Sequence, residues 1–207
     1  MDEIVRWWSA GGARKLPWRI ALNPWAILAA EFLLIQTDAA KASQAYQHFL
    51  TRFPTPETLD SASESEVADV LKPLGLYRQR AKRLKNLAAA LCSRHGGRVP
   101  ESLEKLKALP GVGDYIAAAV SLFAFGKAAP LVDVNTSRVL FRILYGMDPP
   151  KRYMYDKSVR EAAAAVPWSR EVAYALIDFA SAICRPKKPL CNKCPAGRYC
   201  AYVRRRQ

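Results

Sequence analysis

Apolar residues along this chain recur three and four positions apart, and no segment alternates apolar and polar residues over the length of a strand. The pattern predicts an all-α fold. Residues 24–35, PWAILAAEFLLI, are apolar on nearly every face, which predicts a buried helix. Gln36, Thr37 and Asp38 end it, AKASQAYQHFLTRF makes the next helix, and Pro54 and Pro56 break that one. SESE at 63–66 reads as a capping box, with Ser63 as N-cap and Glu66 at the third helical position. Gly75 is a helix stop, and the basic helix after it places Arg78, Lys82 and Lys85 on one face. His95, Gly96 and Gly97 end this long helix, and RVPESLEKLKA leads into LPGVG at 109–113, a glycine turn that opens a helix at Asp114. Another helix begins after Pro130, with Asp133 in the N-cap position and Gly146 as its stop. Two more follow, the last being REVAYALIDFASAIC. No internal repeat, low-complexity tract or long linker interrupts the series.

One charge breaks the apolar helix of 24–35. A lone carboxylate at Glu31 must be paired, protonated or functional, because burying it uncompensated is expensive. Otherwise it reaches a rim or caps a neighbouring helix. Gly111 and Gly113 can take positive φ and let another backbone come close. The amides of such a turn point outward at a helix N-terminus and suit a phosphate oxygen. Asp133 adds a carboxylate at the next helix start. That pairing suits an enzyme acting on a nucleic-acid backbone or on the sugar attached to it.

A formal charge of +14 favours a polyanionic partner, although any generally basic soluble protein shares that balance. Acidic residues cluster from Glu57 to Asp69, so that face is not expected to meet a polyanion. Half of the residues are apolar, and 207 of them suffice for one large or two small globular domains. No apolar run is long enough for a membrane span, and MDEIVRWW does not read as a signal peptide, so a soluble intracellular protein is expected.

Four of the five cysteines, Cys184, Cys191, Cys194 and Cys200, are spaced C-x6-C-x2-C-x5-C. In an intracellular chain sulfurs this close suggest metal before disulfides. Zinc is the plain reading of such a set, although a structural zinc site usually pairs two short knuckles and this set has one. Cys92, alone in a helical run, reads as a small buried hydrophobe. Arg185, Lys187, Lys188, Lys193 and Arg198 crowd the same tail, with Arg204, Arg205 and Arg206 beyond them as a solvated terminus. A loop fixed by metal would hold its charges against phosphates at less entropic cost than a free tail.

LPGVG, the Gly/Pro-containing loop after its helix and VDVNTSRV at 132–139 together resemble the helix-hairpin-helix superfamily of DNA base-excision glycosylases, in its endonuclease III branch; the cysteine spacing equals the iron–sulfur loop of that branch. The likeness covers nearly the whole chain. It implies a six-helix lobe over 22–130 holding the helix-hairpin-helix, and a second lobe built from 1–21 and 131–207 with a [4Fe–4S] cluster on the four cysteines. Glu31 and Asp133 would then face each other across a cleft. Residues 1–21, with Trp7, Trp8 and LPWR at 16–19, resemble the N-terminal arm of the adenine and mismatch branches.

The resemblance places Glu31 on the family's catalytic glutamate and Asp133 on its catalytic aspartate, with Asn135 orienting Asp133 or a water. Cleaving an N-glycosidic bond builds positive charge on the sugar, which Asp133 would stabilise, and negative charge on the departing base, which an acid at Glu31 would relieve. Burial would help Glu31 carry that proton. Gln36 and Leu76 would be wedges pushed into the duplex where a nucleotide has left the stack; for Leu76 the alternative is the hydrophobic contact of a helix stop. Leu109, Gly111, Val112, Gly113, Arg138, Lys187 and Lys188 are expected at the DNA. Where bifunctional members of this branch carry an attacking lysine, this chain has Tyr115, which forms no Schiff base and implies a monofunctional enzyme. Tyr115 would line the pocket or hydrogen-bond near the sugar.

GLYRQRAKRLKNLA, GGRVP and DFASAIC resemble the short mismatch-specific thymine glycosylases. The adenine enzymes resemble the catalytic region but carry a further recognition domain after the cluster, whereas this sequence runs seven residues beyond Cys200. The expectation is thymine or uracil mispaired with guanine, with adenine opposite guanine or 8-oxoguanine as runner-up. The expected protein is a cytoplasmic, nucleoid-associated monomer on double-stranded DNA containing a mismatched or damaged base, with no membrane partner. A non-catalytic iron–sulfur DNA-binding module would keep the hairpin, cysteines and basic surface without needing Glu31 in an apolar helix.

Overall fold

The computed structural model describes residues 1–21 and 23–205; the lobe boundary expected at Leu22 and the terminal Arg206 lie outside the described residues. Among the described residues there is no strand. The chain folds into two compact units, Lys15–Phe125 and a second made of Met1–Arg14 with Gly126–Gln207.

The continuous unit is built around α2 (Pro24–Leu34). Asn23 caps it through Trp25 N, Pro24 occupies the first turn, and every residue from Trp25 to Leu33 is buried. Each fully buried leucine or phenylalanine here contributes about 1.5–3 kcal/mol. α3 (Ala39–Arg52), capped by Asp38, lays Tyr46 and Phe49 beside it. The segment LPWR forms a short 3₁₀ turn whose Trp18 is buried edge-on against Tyr46, with ring centroids 5.6 Å apart. That contact draws residues from Lys15 onward into this unit, where a boundary at 22 is expected from sequence. Pro56 does not break a helix: it starts α4 (Pro56–Ser61), where the proline's missing N–H costs nothing. The Ser63–Glu66 capping box opens α5 (Glu64–Leu71) as its spacing predicts. A 3₁₀ turn and Gly75, at φ 70°, lead to α6 (Tyr77–His95), which ends on Gly96 at φ 57°. α7 (Leu103–Lys107) and α8 (Asp114–Phe125) flank LPGVG. The unit thus has seven α-helices among its described residues, against the expected six; α4 and α7 are only six and five residues long.

On α6, Arg78 and Lys82 are exposed, but Lys85 leaves the basic face. Its Nζ donates to the carbonyls of Leu59, Asp60 and Ala62 at the end of α4, a helix C-terminus that favours a cation. Cys92 is half-buried rather than fully inside.

In the second unit α9 (Val134–Tyr145) packs against α10 (Lys157–Ala164), α11 (Arg170–Ala182) and a short α12 (Ala201–Arg204) that follows the last cysteine. The N-terminal segment is also helical, as α1 (Asp2–Trp7) running into a π turn, and is tied to α11. Asp178, fully buried on α11, accepts from Trp8 Nε1 at 2.9 Å, from Arg14 N at 3.0 Å and from the Arg14 guanidinium. Asp178→Ala would leave the indole N–H and the arginine without that acceptor. Arg14 is 36 % exposed and regains water, which puts the expected cost near the lower end for a broken buried pair, about 3 kcal/mol. For a chain of this size that is a melting temperature lower by about 10 °C, readable by calorimetry.

Candidate active site

Asp133 sits at the N-cap of α9 with φ −127° and ψ 178°, and its side chain does the capping. Oδ1 accepts from the amides of Asn135 at 3.0 Å and Thr136 at 2.7 Å, while Oδ2 accepts from Asn135 Nδ2 at 2.9 Å. The Thr136 hydroxyl lies 2.8 Å from both Oδ1 and Leu131 O, and its single proton serves one of them. The carboxylate is therefore held in one orientation by a backbone that also starts the helix. Asn135 is itself oriented: its Oδ1 accepts from Arg138 Nη2 at 3.2 Å.

Arg138 is not at the surface of the chain. It is 4 % exposed, and its remaining donors go to Cys184 O at 2.8 Å, Ala180 O at 3.0 Å and Val134 O at 3.3 Å. Its neighbour one turn on, Arg142, is equally buried and donates to Arg185 O at 2.7 Å, Pro186 O at 3.0 Å, Asp148 Oδ1 at 2.6 Å and Cys184 Sγ at 3.7 Å. Two arginines of α9 thus hold the start of the cysteine segment. No motif in the sequence singles out Arg142, although its i, i+4 spacing from Arg138 on the side of an apolar helix is a usable signal.

The four cysteines are free of disulfides and lie within electrostatic reach of one another. Burial pushes the Cys194 thiol up to about 11, and Cys200, Cys184 and Cys191 add to the rise. Short 3₁₀ turns at Cys191–Lys193 and Gly197–Tyr199 fold the segment. This donor set fits a thiophilic metal by its chemistry, yet among the described residues no group of three or more His, Cys, Asp or Glu side chains is arranged to hold a metal ion. Lys187 and Lys188 are exposed, Lys188 at φ 51°. Arg198 is diverted to Glu3, at 2.8 Å.

In the other unit, Glu31 is 8 % exposed in the middle of α2. The next residue, Phe32, lies under the hairpin: a Cβ on Gly111, at φ 78°, would come within 3.1 Å of its ring. A glycine is required there on both counts. Gly113 differs from expectation, since its φ is outside the left-handed region and, among the described residues beyond its immediate neighbours, nothing crowds the place a Cβ would take. Leu109 and Val112 are buried, so their side chains anchor the turn and only their backbone is on offer to a ligand. Val112 N is itself taken by Leu109 O at 3.1 Å. Tyr115 is half-buried in the first turn of α8.

Gln36 and Leu76 both adopt left-handed backbone, at φ 50° and 51°. Leu76 is 57 % exposed, which removes the reading as a buried helix-stop contact. The two residues line one hollow with Phe32, Ile35, Gln79 and Arg80.

The chain belongs to the HhH-GPD superfamily of base excision DNA repair proteins, whose family model matches residues 29–164. It is 43 % identical over 205 residues to the thymine-DNA glycosylase of Aeropyrum pernix, covering 97 % of this chain and 92 % of that protein. It is 38 % identical over 213 residues to the thymine/uracil-DNA glycosylase of Pyrobaculum aerophilum, covering 100 % and 92 %. The adenine DNA glycosylase of Mycobacterium tuberculosis is 35 % identical over 205 residues, matching 97 % of this chain and 67 % of that one. A solved thermostable thymine-DNA glycosylase superposes with a TM-score of 0.91 at 35 % identity, covering 99 % of this chain and 94 % of that one. Endonuclease III in a non-covalent DNA complex gives 0.80 at 26 %, again covering 99 % and 94 %.

Proposed function

We propose that this chain is a monofunctional DNA glycosylase that hydrolyses the N-glycosidic bond of thymine or uracil mispaired with guanine. The observation that carries the reading is the fixed carboxylate of Asp133, held on both oxygens by Asn135 and Thr136. A charge that need not reorganise stabilises a developing sugar cation more than a mobile one would. Glu31 is proposed as the proton donor to the departing base, and Asn135 keeps Oδ2 of Asp133 in place. A water adds to the sugar carbon and gives its proton to the Asp133 carboxylate, as the bond to the base breaks and the base leaves with the proton from Glu31. With a phenol at Tyr115, no amine there attacks the sugar. The backbone of the Gly111–Gly113 turn serves a phosphate, and Gln36 and Leu76 fill the stack vacated by the extruded base. The partner in this reading is double-stranded DNA, met by a monomer in the cytoplasm at the nucleoid.

The choice of pyrimidine rests on the relatives named for thymine and uracil, which this chain matches over 92 % of their length against 67 % for an adenine enzyme. Oligonucleotide duplexes carrying T·G, U·G, A·G and A opposite 8-oxoguanine decide it. Free thymine and uracil are expected, leaving an unbroken abasic strand and no borohydride-trapped adduct. Release of adenine alone overturns the assignment, and a trapped adduct overturns the monofunctional part.

Cys184, Cys191, Cys194 and Cys200 are proposed to hold a [4Fe–4S] cluster, which when bound supplies a four-thiolate cross-link to the basic loop. Among residues of this chain, Arg138 and Arg142 hold that loop through the carbonyls of Cys184, Arg185 and Pro186. Protein prepared without air is expected to contain iron and acid-labile sulfide in equal amounts; zinc without sulfide would reject the cluster. No helix among the described residues is long and apolar enough to cross a membrane.

A further inference from the structure

Arg80 is 8 % exposed, yet among the described residues its guanidinium donates to neutral oxygens. Nε donates to Gly75 O at 3.0 Å, Nη1 to Phe32 O at 3.4 Å, and Nη2 to Ile35 O at 2.8 Å and Thr37 Oγ1 at 2.7 Å. Burial lowers its pKa, and Arg83 adds to the lowering. Burying a guanidinium among neutral oxygens costs desolvation energy that a leucine would not, so the arrangement calls for a reason.

The reason lies in which carbonyls it takes. Ile35 O belongs to the peptide that enters Gln36, and Gly75 O to the peptide that enters Leu76. The tilt of the preceding peptide sets a residue's φ, and these two residues are left-handed at 50° and 51°. Neither is a glycine, so each conformation costs about 1–2 kcal/mol and must be imposed by its surroundings. One planar group therefore fixes both strained peptides, although they lie on separate loops, one at the end of α2 and one at the start of α6. The fork geometry matters: a lysine ammonium has no rigid plane to set the two carbonyls relative to each other. Thr37 completes the tie, donating its hydroxyl to Ile35 O at 3.1 Å while accepting from Nη2.

We propose that Arg80 is a positioning residue that locks the loops of Gln36 and Leu76 into one rigid wedge, so that both side chains enter the duplex together. The inference rests on the wedge role proposed above for those two residues. A pair of independent loops would have to be ordered separately on DNA, each at its own entropic cost; a pre-tied pair is ordered once.

The test uses a T·G duplex with 2-aminopurine beside the mismatched thymine, whose fluorescence rises when stacking is lost. Gln36→Ala and Leu76→Ala are measured alone and together in three backgrounds: the unaltered chain, Arg80→Lys and Thr37→Val. In the unaltered chain each alanine lowers the fluorescence rise, and the double variant departs from additivity. In Arg80→Lys the departure disappears, and single-turnover base release falls about tenfold or more. Release from a target in an already unstacked bulge falls much less. A purely structural role for Arg80 would lower the melting temperature but keep the coupling. Coupling retained in folded Arg80→Lys overturns the proposal. Should Arg80→Lys not fold, Thr37→Val decides on the same criterion, loss of coupling supporting the lock and retention overturning it. If the single alanine variants leave the fluorescence rise unchanged, the wedge role itself is overturned and the lock falls with it.

Discussion

Asp133→Asn is expected to slow base release from a T·G duplex by about a thousandfold or more, with the fold intact. Asparagine is as good an N-cap as aspartate, and its remaining oxygen can still accept from the amides of Asn135 and Thr136. What disappears is the negative charge and one acceptor: the new amide would face Asn135 Nδ2, donor against donor. Melting temperature and mismatch binding should stay near those of the unaltered chain, while single-turnover release collapses. Unchanged release would favour a non-catalytic DNA-binding module over the glycosylase reading.

Glu31→Gln should lower release by about a hundredfold to ten-thousandfold, the range for a positioned general acid. The glutamine fills the same volume in a helix buried from Trp25 to Leu33, so no cavity opens. If Glu31 were only a satisfied internal carboxylate, the substitution would shift stability and leave the rate alone. The two variants also separate the roles. With Glu31 acting at the base and Asp133 at the sugar, as proposed, a substrate bearing a better leaving base should rescue Glu31→Gln and should do much less for Asp133→Asn.

Local signals carry most of the fold. The Ser63–Glu66 box, the Asp133 cap and the stops at Gly75, Gly96 and Gly146 are each decided within a few residues, and each stands where its spacing puts it. Contacts between distant residues are less legible. Trp18 against Tyr46 moves the boundary of the continuous unit, and nothing near LPWR announces it. Arg138 reads as a surface cation because arginines usually are, but it stands between buried Ser137 and Val139 and is spent on carbonyls 42 and 46 residues away. Arg80 has a signal that composition hides: it occupies the apolar register of α6, one turn before Leu84. Lys85 is taken by the carbonyls of α4, which no count of basic residues on a face reveals. Backbone strain at Gln36 and Leu76 cannot be read from sequence at all, since neither residue type favours left-handed φ.

The bond from Trp8 to Asp178 spans 170 positions, whereas Lys15–Phe125 is an uninterrupted run. During synthesis on the ribosome, the uninterrupted unit can assemble as soon as Phe125 has emerged. Trp8 and Arg14, made first, must then wait for α11 to be translated before their acceptor exists. Until that moment the indole of Trp8 and the apolar side of α1 lack the cover of α11, which leaves that segment open to association with other chains.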